Sequence, residues 1–207
     1  MADYTLYGVA LSIPAVKVGT ALNMTGQSFT YKHVNLRGGE GKTPEYQAIS
    51  RWGQVPALVH GDVKLVQSDV ILEYLGETTG KLWPADRMER YRAKEWFAWE
   101  LDLLYPGIAQ PRGLKIFAGG EPAAVVEFQK KRGERALGML NDHLGKAKWL
   151  AGSAASLADV AVAVDCAYVG DADLSLDPYP AVKEWAGRVA ALPGWKNPRE
   201  LLPMPAA

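Results

Sequence analysis

The spacing of apolar residues changes period near residue 80 of the chain. Before that point short β-type runs alternate with helical stripes. Thr5-Leu6-Tyr7-Gly8 is a β-type run, and Ser12-Ile13-Pro14 reads as a helix start with proline in the first turn. Val16, Val18, Ala21 and Leu22 form the apolar stripe of that helix, and Gly26 ends it. Phe29 to Asn35, rich in aromatic and β-branched residues, predicts a second strand. Arg37 to Lys42 is a glycine-rich loop, and Pro44 to Ile49 predicts one helical turn or slightly more. Ala57-Leu58-Val59 is a short apolar strand entered through Pro56. His60-Gly61-Asp62 is its turn, and Val63 to Val66 is the hairpin partner. Ser68-Asp69 then cap a helix running through Leu75. The order β-α-β-α-β-β-α predicts an α/β domain over residues 1–78.

Residues 79–86, with Gly80 and Pro84, read as a linker, and from 87 to 207 the period is helical throughout. Met88 to Phe117 carries Trp96, Phe97, Trp99, Leu101, Leu103 and Leu104, too many for one face, so burial on several sides is expected. Pro106 is expected to kink or break that helix. Pro122 to Leu144 predicts an amphipathic helix with Val125, Val126, Phe128, Leu137, Leu140 and Leu144 facing in. Ser156-Leu157-Ala158-Asp159 is a capping box with Asp in place of Glu. The helix it starts is apolar nearly all round and belongs at the centre of a bundle. Cys166 lies in it and reads as a small buried hydrophobe. A last helix starts at Pro178-Tyr179-Pro180, and a loose tail is expected at Pro203-Met204-Pro205.

Composition narrows the function. In 207 residues, 23 basic side chains balance 23 acidic ones, so no basic excess is available for nucleic acid or a membrane surface. No apolar run reaches spanning length, and Met1-Ala2-Asp3-Tyr4 lacks the features of a signal peptide. A cytoplasmic protein is expected. One cysteine excludes an intramolecular disulfide and a CxxC redox motif. His33, His60 and His143 share no metal-ligand spacing, so no metal site is expected.

The candidate chemistry gathers around Gly53-Gln54-Val55-Pro56-Ala57-Leu58-Val59 and Gln67-Ser68-Asp69. Pro56 extends Val55. A cis Val55-Pro56 bond would turn the Val55 N–H and C=O outward as an open strand edge. The helix after Gln67-Ser68 presents free N–H groups and a positive dipole end, which suit a carboxylate. A strand edge beside an anion site fits a small, extended, acidic peptide.

These two stretches resemble the glutathione-site signature of cytosolic glutathione transferases. Leu6-Tyr7-Gly8, Ser12-Ile13-Pro14 and Lys17-Val18 are similar to the opening of the serine-type, phi-like members. The resemblance implies a thioredoxin-like first domain binding glutathione, and an all-α second domain contributing a hydrophobic substrate site. It implies a homodimer acting in detoxification, with glutathione as co-substrate and no cofactor. Ser12 is the implied catalytic residue; a plain N-cap is the alternative. A glutathione-type thiol has a pKa near ~8.5, and lowering it by about two units requires favouring the anion by roughly 2.7 kcal/mol. One or two charge-assisted hydrogen bonds suffice, and a serine donating its own proton needs no neighbouring base. Lys42 and Gln54 are implied for the glycyl carboxylate, Val55 and Pro56 for the cysteinyl backbone, and Gln67 and Ser68 for the γ-glutamyl end. Gln67 stands where the family usually has glutamate, and Gly41 stands where phi-like members carry histidine. An apolar pocket for an electrophile is expected around Ala10, Leu11, Tyr105, Ile108, Leu114 and Phe117. Glutathione-dependent peroxide reduction, and glutathione or hydrophobe binding without turnover, are the alternative functions.

Overall fold

Strand β1 (Tyr4–Gly8) alternates as a half-buried strand should. Tyr4, Leu6 and Gly8 are buried, while Thr5 and Tyr7 are half-buried. It pairs in parallel with β2 (Phe29–His33) and antiparallel with β3 (Ala57–His60), which pairs antiparallel with β4 (Val63–Val66). The sheet order is β2-β1-β3-β4. Helices α1 (Ile13–Met24), α2 (Pro44–Gln47) and α3 (Ser68–Thr79) complete the expected β-α-β-α-β-β-α order. The parallel β1/β2 pair requires a crossover, and α1 supplies it. The computed structural model describes residues 4–118 and 123–204, with backbone alone for 117 and 118. The side chain of Phe117, and Pro122, Pro205 and Met1-Ala2-Asp3, lie outside the described residues.

Glycine sets how closely α1 approaches the sheet. A Cβ on Gly8 would lie 2.9 Å from the Ala15 Cβ. The other side of α1 is covered by the end of the chain: a Cβ on Gly19 would meet Leu201 and Leu202 at 3.1 and 3.2 Å. The helix is therefore buried nearly all round. Two compact units result, one holding residues up to Trp83 together with those from Leu192 on, the other holding Pro84–Ala191. The segment from Leu192 on, expected with the helical domain, belongs to the first unit because it supplies the apolar cover for α1.

In the second unit α4 (Arg87–Trp99), α5 (Tyr105–Gly113), α6 (Ala123–Leu144), α7 (Leu157–Cys166) and α8 (Pro180–Ala190) form the helical layer. Pro106 neither breaks the chain nor ends its helicity. One π turn, Glu100–Leu104, links α4 to α5, and the Tyr105 N–H reaches back to the Glu100 carbonyl. Pro106 has no N–H for the Asp102 carbonyl four residues earlier. The Arg132 guanidinium of α6 donates to that carbonyl instead. A second π turn, Leu114–Ala118, follows α5. The expectation of burial on several sides fails at Leu101, which is 42% exposed.

Helix α6 buries Gln129, Gly133, Ala136, Leu137, Leu140 and Leu144. Val125 and Phe128, expected inside, are 43% and 61% exposed. The buried stripe runs through Gln129 and Gly133, which hydrophobicity alone does not mark. Gly133 is there because the helices touch backbone to backbone: a Cβ on Gly107 of α5 would lie 2.4 Å from the Gly133 Cα and 2.5 Å from its N. Neither backbone can yield as a flexible side chain could. Gly107→Ala is therefore expected to cost about 1–3 kcal/mol of stability, read as a lowered urea midpoint with unchanged m. An unaltered midpoint would show that α5 and α6 separate freely.

Helix α7 is buried along its whole length, as expected of a central helix, and Cys166 is buried within it. Its start is held by Asp159. Oδ1 accepts from Leu150 N at 3.0 Å and Trp185 Nε1 at 2.9 Å, and Oδ2 accepts from Ser156 N at 2.8 Å and Ser156 Oγ at 3.0 Å. One carboxylate thus ties the α6–α7 connection and α8 to α7. Burial pushes its pKa up, and the four donors pull it back.

Candidate active site

Sheet register brings the candidate segments together. Tyr7 of β1 pairs with Ala57 of β3, and Ala57 pairs with Val66 of β4. The turn that follows β1, the peptide that precedes β3 and the helix that follows β4 therefore emerge from one end of the sheet. These are the segments of Ser12, of Gln54-Val55-Pro56 and of Gln67-Ser68.

Ser12 is the N-cap of α1, with φ −85° and ψ 110°. Its N–H donates to the Val9 carbonyl at 2.8 Å, closing the turn. Its Oγ accepts from Ala15 N at 3.4 Å, a long cap bond. The hydroxyl is thus used as an acceptor, and its proton remains available to a partner beyond the helix end. Ala10 and Leu11 occupy the same turn and are half-buried. The turn is held from behind: the Gly8 carbonyl accepts from Val34 N at 2.9 Å and from the Tyr31 hydroxyl at 3.2 Å. Burial pushes the Tyr31 pKa up to about 12, so it stays a donor. Lys17 is fully buried in α1.

The Val55-Pro56 bond is cis. Pro56 is buried and Val55 half-buried. Among the described residues the Val55 N–H and C=O take no hydrogen-bond partner, because the β1–β3 ladder begins at Ala57. Gln54 is exposed, and its Oε1 lies 3.5 Å from Gln67 Nε2, a contact at the limit of a hydrogen bond.

The expected cap of α3 needs correction. Gln67, not Ser68, is the N-cap, with φ 72° and ψ 120° and no side-chain cap bond. Ser68 and Asp69 are the first helical residues, both buried. A glutamine held at positive φ is strained by about 1–3 kcal/mol unless its surroundings hold it there. The β4–α3 junction must turn sharply to send α3 back across the sheet, and Gln67 takes that turn. Its side chain is left exposed beside Gln54. Ile71 N is the first donor to bond within the helix, to the Gln67 carbonyl at 3.0 Å. The N–H groups of Ser68, Asp69 and Val70 precede it at the positive end of the dipole.

Lys42 is exposed at the end of a short 3₁₀ turn, Glu40–Lys42. This turn is fixed to the Gln54 segment by Gly41, where a Cβ would come 2.5 Å from the Gly53 carbonyl oxygen. A histidine could not occupy position 41 without moving that backbone, so the phi-like pattern is incompatible with this loop. The contact nonetheless sets Lys42 one residue from the glycine that leads into Gln54.

Of the apolar positions on the second unit, Ile108 is 0% exposed and forms part of that unit's core, whereas Tyr105 and Leu114 keep accessible surface. Sequence reasoning missed Tyr46 and Ser50, both buried, whose hydroxyls bond the Gln54 backbone. No motif marks them, and only their proximity in the chain to Gln54 hints at it.

The chain as a whole is similar to known glutathione S-transferases. Residues 2–77 match the model of the glutathione S-transferase N-terminal domain, and residues 123–188 match that of the C-terminal domain. Glutathione S-transferase 3 of Zea mays is 32% identical, covering 99% of this chain and 97% of its own. A glutathione S-transferase structure from Xanthobacter autotrophicus superposes with a TM-score of 0.86 at 30% identity, covering 93% of this chain and 95% of that one. The structure of glutathione S-transferase-I bound with lactoylglutathione superposes at 0.87 with 26% identity, covering 97% of this chain and all (100%) of that one.

Proposed function

The chain belongs to the glutathione S-transferase family, and from that membership we infer that it is a glutathione transferase, joining the glutathione sulfur to hydrophobic electrophiles. The observation that carries this reading is the meeting of three segments at one end of the sheet. They offer a hydroxyl proton at a helix start, a Val55 peptide that takes no hydrogen-bond partner among the described residues, and the positive dipole end at the start of α3. An extended tripeptide with a carboxylate at each end matches that set.

Val55 and Pro56 receive the cysteinyl part through the backbone. The γ-glutamyl carboxylate meets Ser68 and the amides after it, and Lys42 and Gln54 take the glycyl carboxylate. Ser12 then donates to the sulfur anion, with the α1 dipole adding a smaller favourable contribution. Residues 1–78 supply this glutathione-binding part and the helices between residues 87 and 191 the helical part. The electrophile is assigned to the side of the turn where Ala10 and Leu11 flank Ser12. The protein acts in the cytoplasm as a homodimer, in detoxification. Isothermal calorimetry with glutathione, followed by conjugation of a chlorodinitrobenzene, tests the reading. Saturable binding with turnover is expected; no binding at millimolar glutathione would sink it.

Gln67 and Gly41 favour a second reading, a glutathione- or hydrophobe-binding protein without useful turnover, since each removes a contact the resemblance implies. Gln67 keeps the hydrogen-bonding capacity of glutamate but lacks the charge that would attract the ammonium group of the peptide. Gln67→Glu is expected to tighten glutathione binding about three- to tenfold, in line with ~1 kcal/mol for one added charge-assisted contact. Unchanged or weaker affinity in calorimetry would count against the assignment of position 67.

A further inference from the structure

We propose that Ser50 is a positioning residue for glutathione: it sets the orientation of the Gln54–Val55 peptide on which the tripeptide lies. The proposal rests on the glutathione-binding reading given above. Ser50 is fully buried and carries no role in any motif of the chain. Its hydroxyl donates to the Gln54 carbonyl at 2.8 Å and accepts from the Gln54 N–H at 3.1 Å. Both polar groups of the Gln54 backbone are thus held by one side chain and not by a neighbouring strand.

The clamp is itself anchored. The Ser50 N–H donates to the Tyr46 carbonyl at 2.8 Å, and its own carbonyl accepts from Gly53 N at 2.8 Å. Tyr46 adds a second hydroxyl donor to the Gln54 carbonyl at 2.9 Å. Burial pushes the Tyr46 pKa up to about 12, so this donor keeps its proton across the working range. The same segment abuts Gly41, where the backbones leave no room for a Cβ. The loop therefore has little freedom to turn the Gln54–Val55 plane, and the Val55 N–H points where it does because the Gln54 carbonyl in the same plane is held.

Without the Ser50 hydroxyl, the Gln54 N–H loses its only hydrogen-bond partner among the described residues, while the carbonyl keeps Tyr46. The Gly53–Gln54 plane then loses its side-chain hold and the Gln54–Val55 plane keeps one donor of two, a freedom that glutathione must remove on binding. Ser50→Ala is expected to raise the glutathione KM and Kd about five- to tenfold, the equivalent of one lost hydrogen bond. At saturating glutathione, kcat and the KM for a chlorodinitrobenzene should stay within about twofold. A general loosening of the fold would instead lower kcat and the active fraction together. Tyr46→Phe, which removes one of two donors and keeps the ring, should raise the glutathione KM about two- to threefold without touching kcat. It decides the matter should Ser50→Ala fail to fold. Native glutathione KM in either folded variant, with the native chain binding glutathione normally, overturns the role of Ser50 alone. A native chain that gives no glutathione binding in calorimetry overturns the reading beneath it as well.

Discussion

Ser12→Ala should return the thiol of bound glutathione from roughly 6.5 to its free value near ~8.5. At pH 7 the thiolate share then falls from about three quarters to a few per cent, and conjugation slows about 25-fold. The measurement is the thiolate absorbance of the bound peptide against pH, for the native chain and the variant, beside the rate. The physical basis is the hydrogen-bond geometry of the turn. Ser12 Oγ already accepts from Ala15 N at 3.4 Å, so what it has to offer a ligand is its proton, directed to a group that prefers to be an anion. The sign with pH is definite. The variant's deficit is greatest below about pH 7 and closes above about pH 9, where the free thiol ionises without help. A deficit that persisted unchanged at high pH would mean the serine acts through the fold. Loss of the cap itself accounts for about 1 kcal/mol of stability at most, given the long cap bond. It is measured separately by denaturation.

The largest effect on stability is expected at Asp159. Its carboxylate accepts four hydrogen bonds, from Leu150 N, Ser156 N, Ser156 Oγ and Trp185 Nε1, while buried. Asp159→Ala leaves those donors without a partner at the start of the most buried helix and is expected to cost about 3–5 kcal/mol. For a chain of this length that lowers the melting temperature by on the order of 10 °C. Asp159→Asn keeps the shape but places an N–H₂ against two donors, so its loss should be nearly as large. Calorimetric melting of both variants checks this. An asparagine variant as stable as the native chain would show that the carboxylate is not required as a double acceptor. Neither substitution touches the Ser12 end of the sheet, so glutathione affinity of the folded fraction should be preserved.

Local chemistry explains why so much of the first unit could be read from the chain alone. Ser12 before Ile13-Pro14, the apolar run Ala57-Leu58-Val59 after a proline and the turn at Gly61 each impose a backbone state through their own sterics. The β-α-β-α-β-β-α order follows from them. The same holds for the capping box at Ser156 and Asp159, where the partners are three residues apart. The errors arise where a distant contact overrode a local preference. Ser68 is a better cap than glutamine, yet the β4–α3 junction put Gln67 at positive φ and moved Ser68 into the helix. Phe128 is more apolar than Gly133, yet the close approach of α5 to α6 admits only glycine at the crossing and leaves the ring outside. Pro106 is a helix breaker by itself, but a π turn carries the helix to it and the Arg132 side chain satisfies the carbonyl it orphans.

Taken by itself, the amino-acid order determined the elements, their succession and the residue types able to hold a thiolate and a carboxylate, because those depend on neighbours within a few positions. Tertiary structure alone decided that Ser12, Val55 and the start of α3 meet at one sheet end, that Ser50 holds Gln54, and that the segment from Leu192 covers α1. The first depends on strand register, the second on a buried hydroxyl that no motif marks, and the third on the side chains of Leu201 and Leu202 against Gly19. All three are set by packing the whole unit at once and leave no periodic trace in the chain.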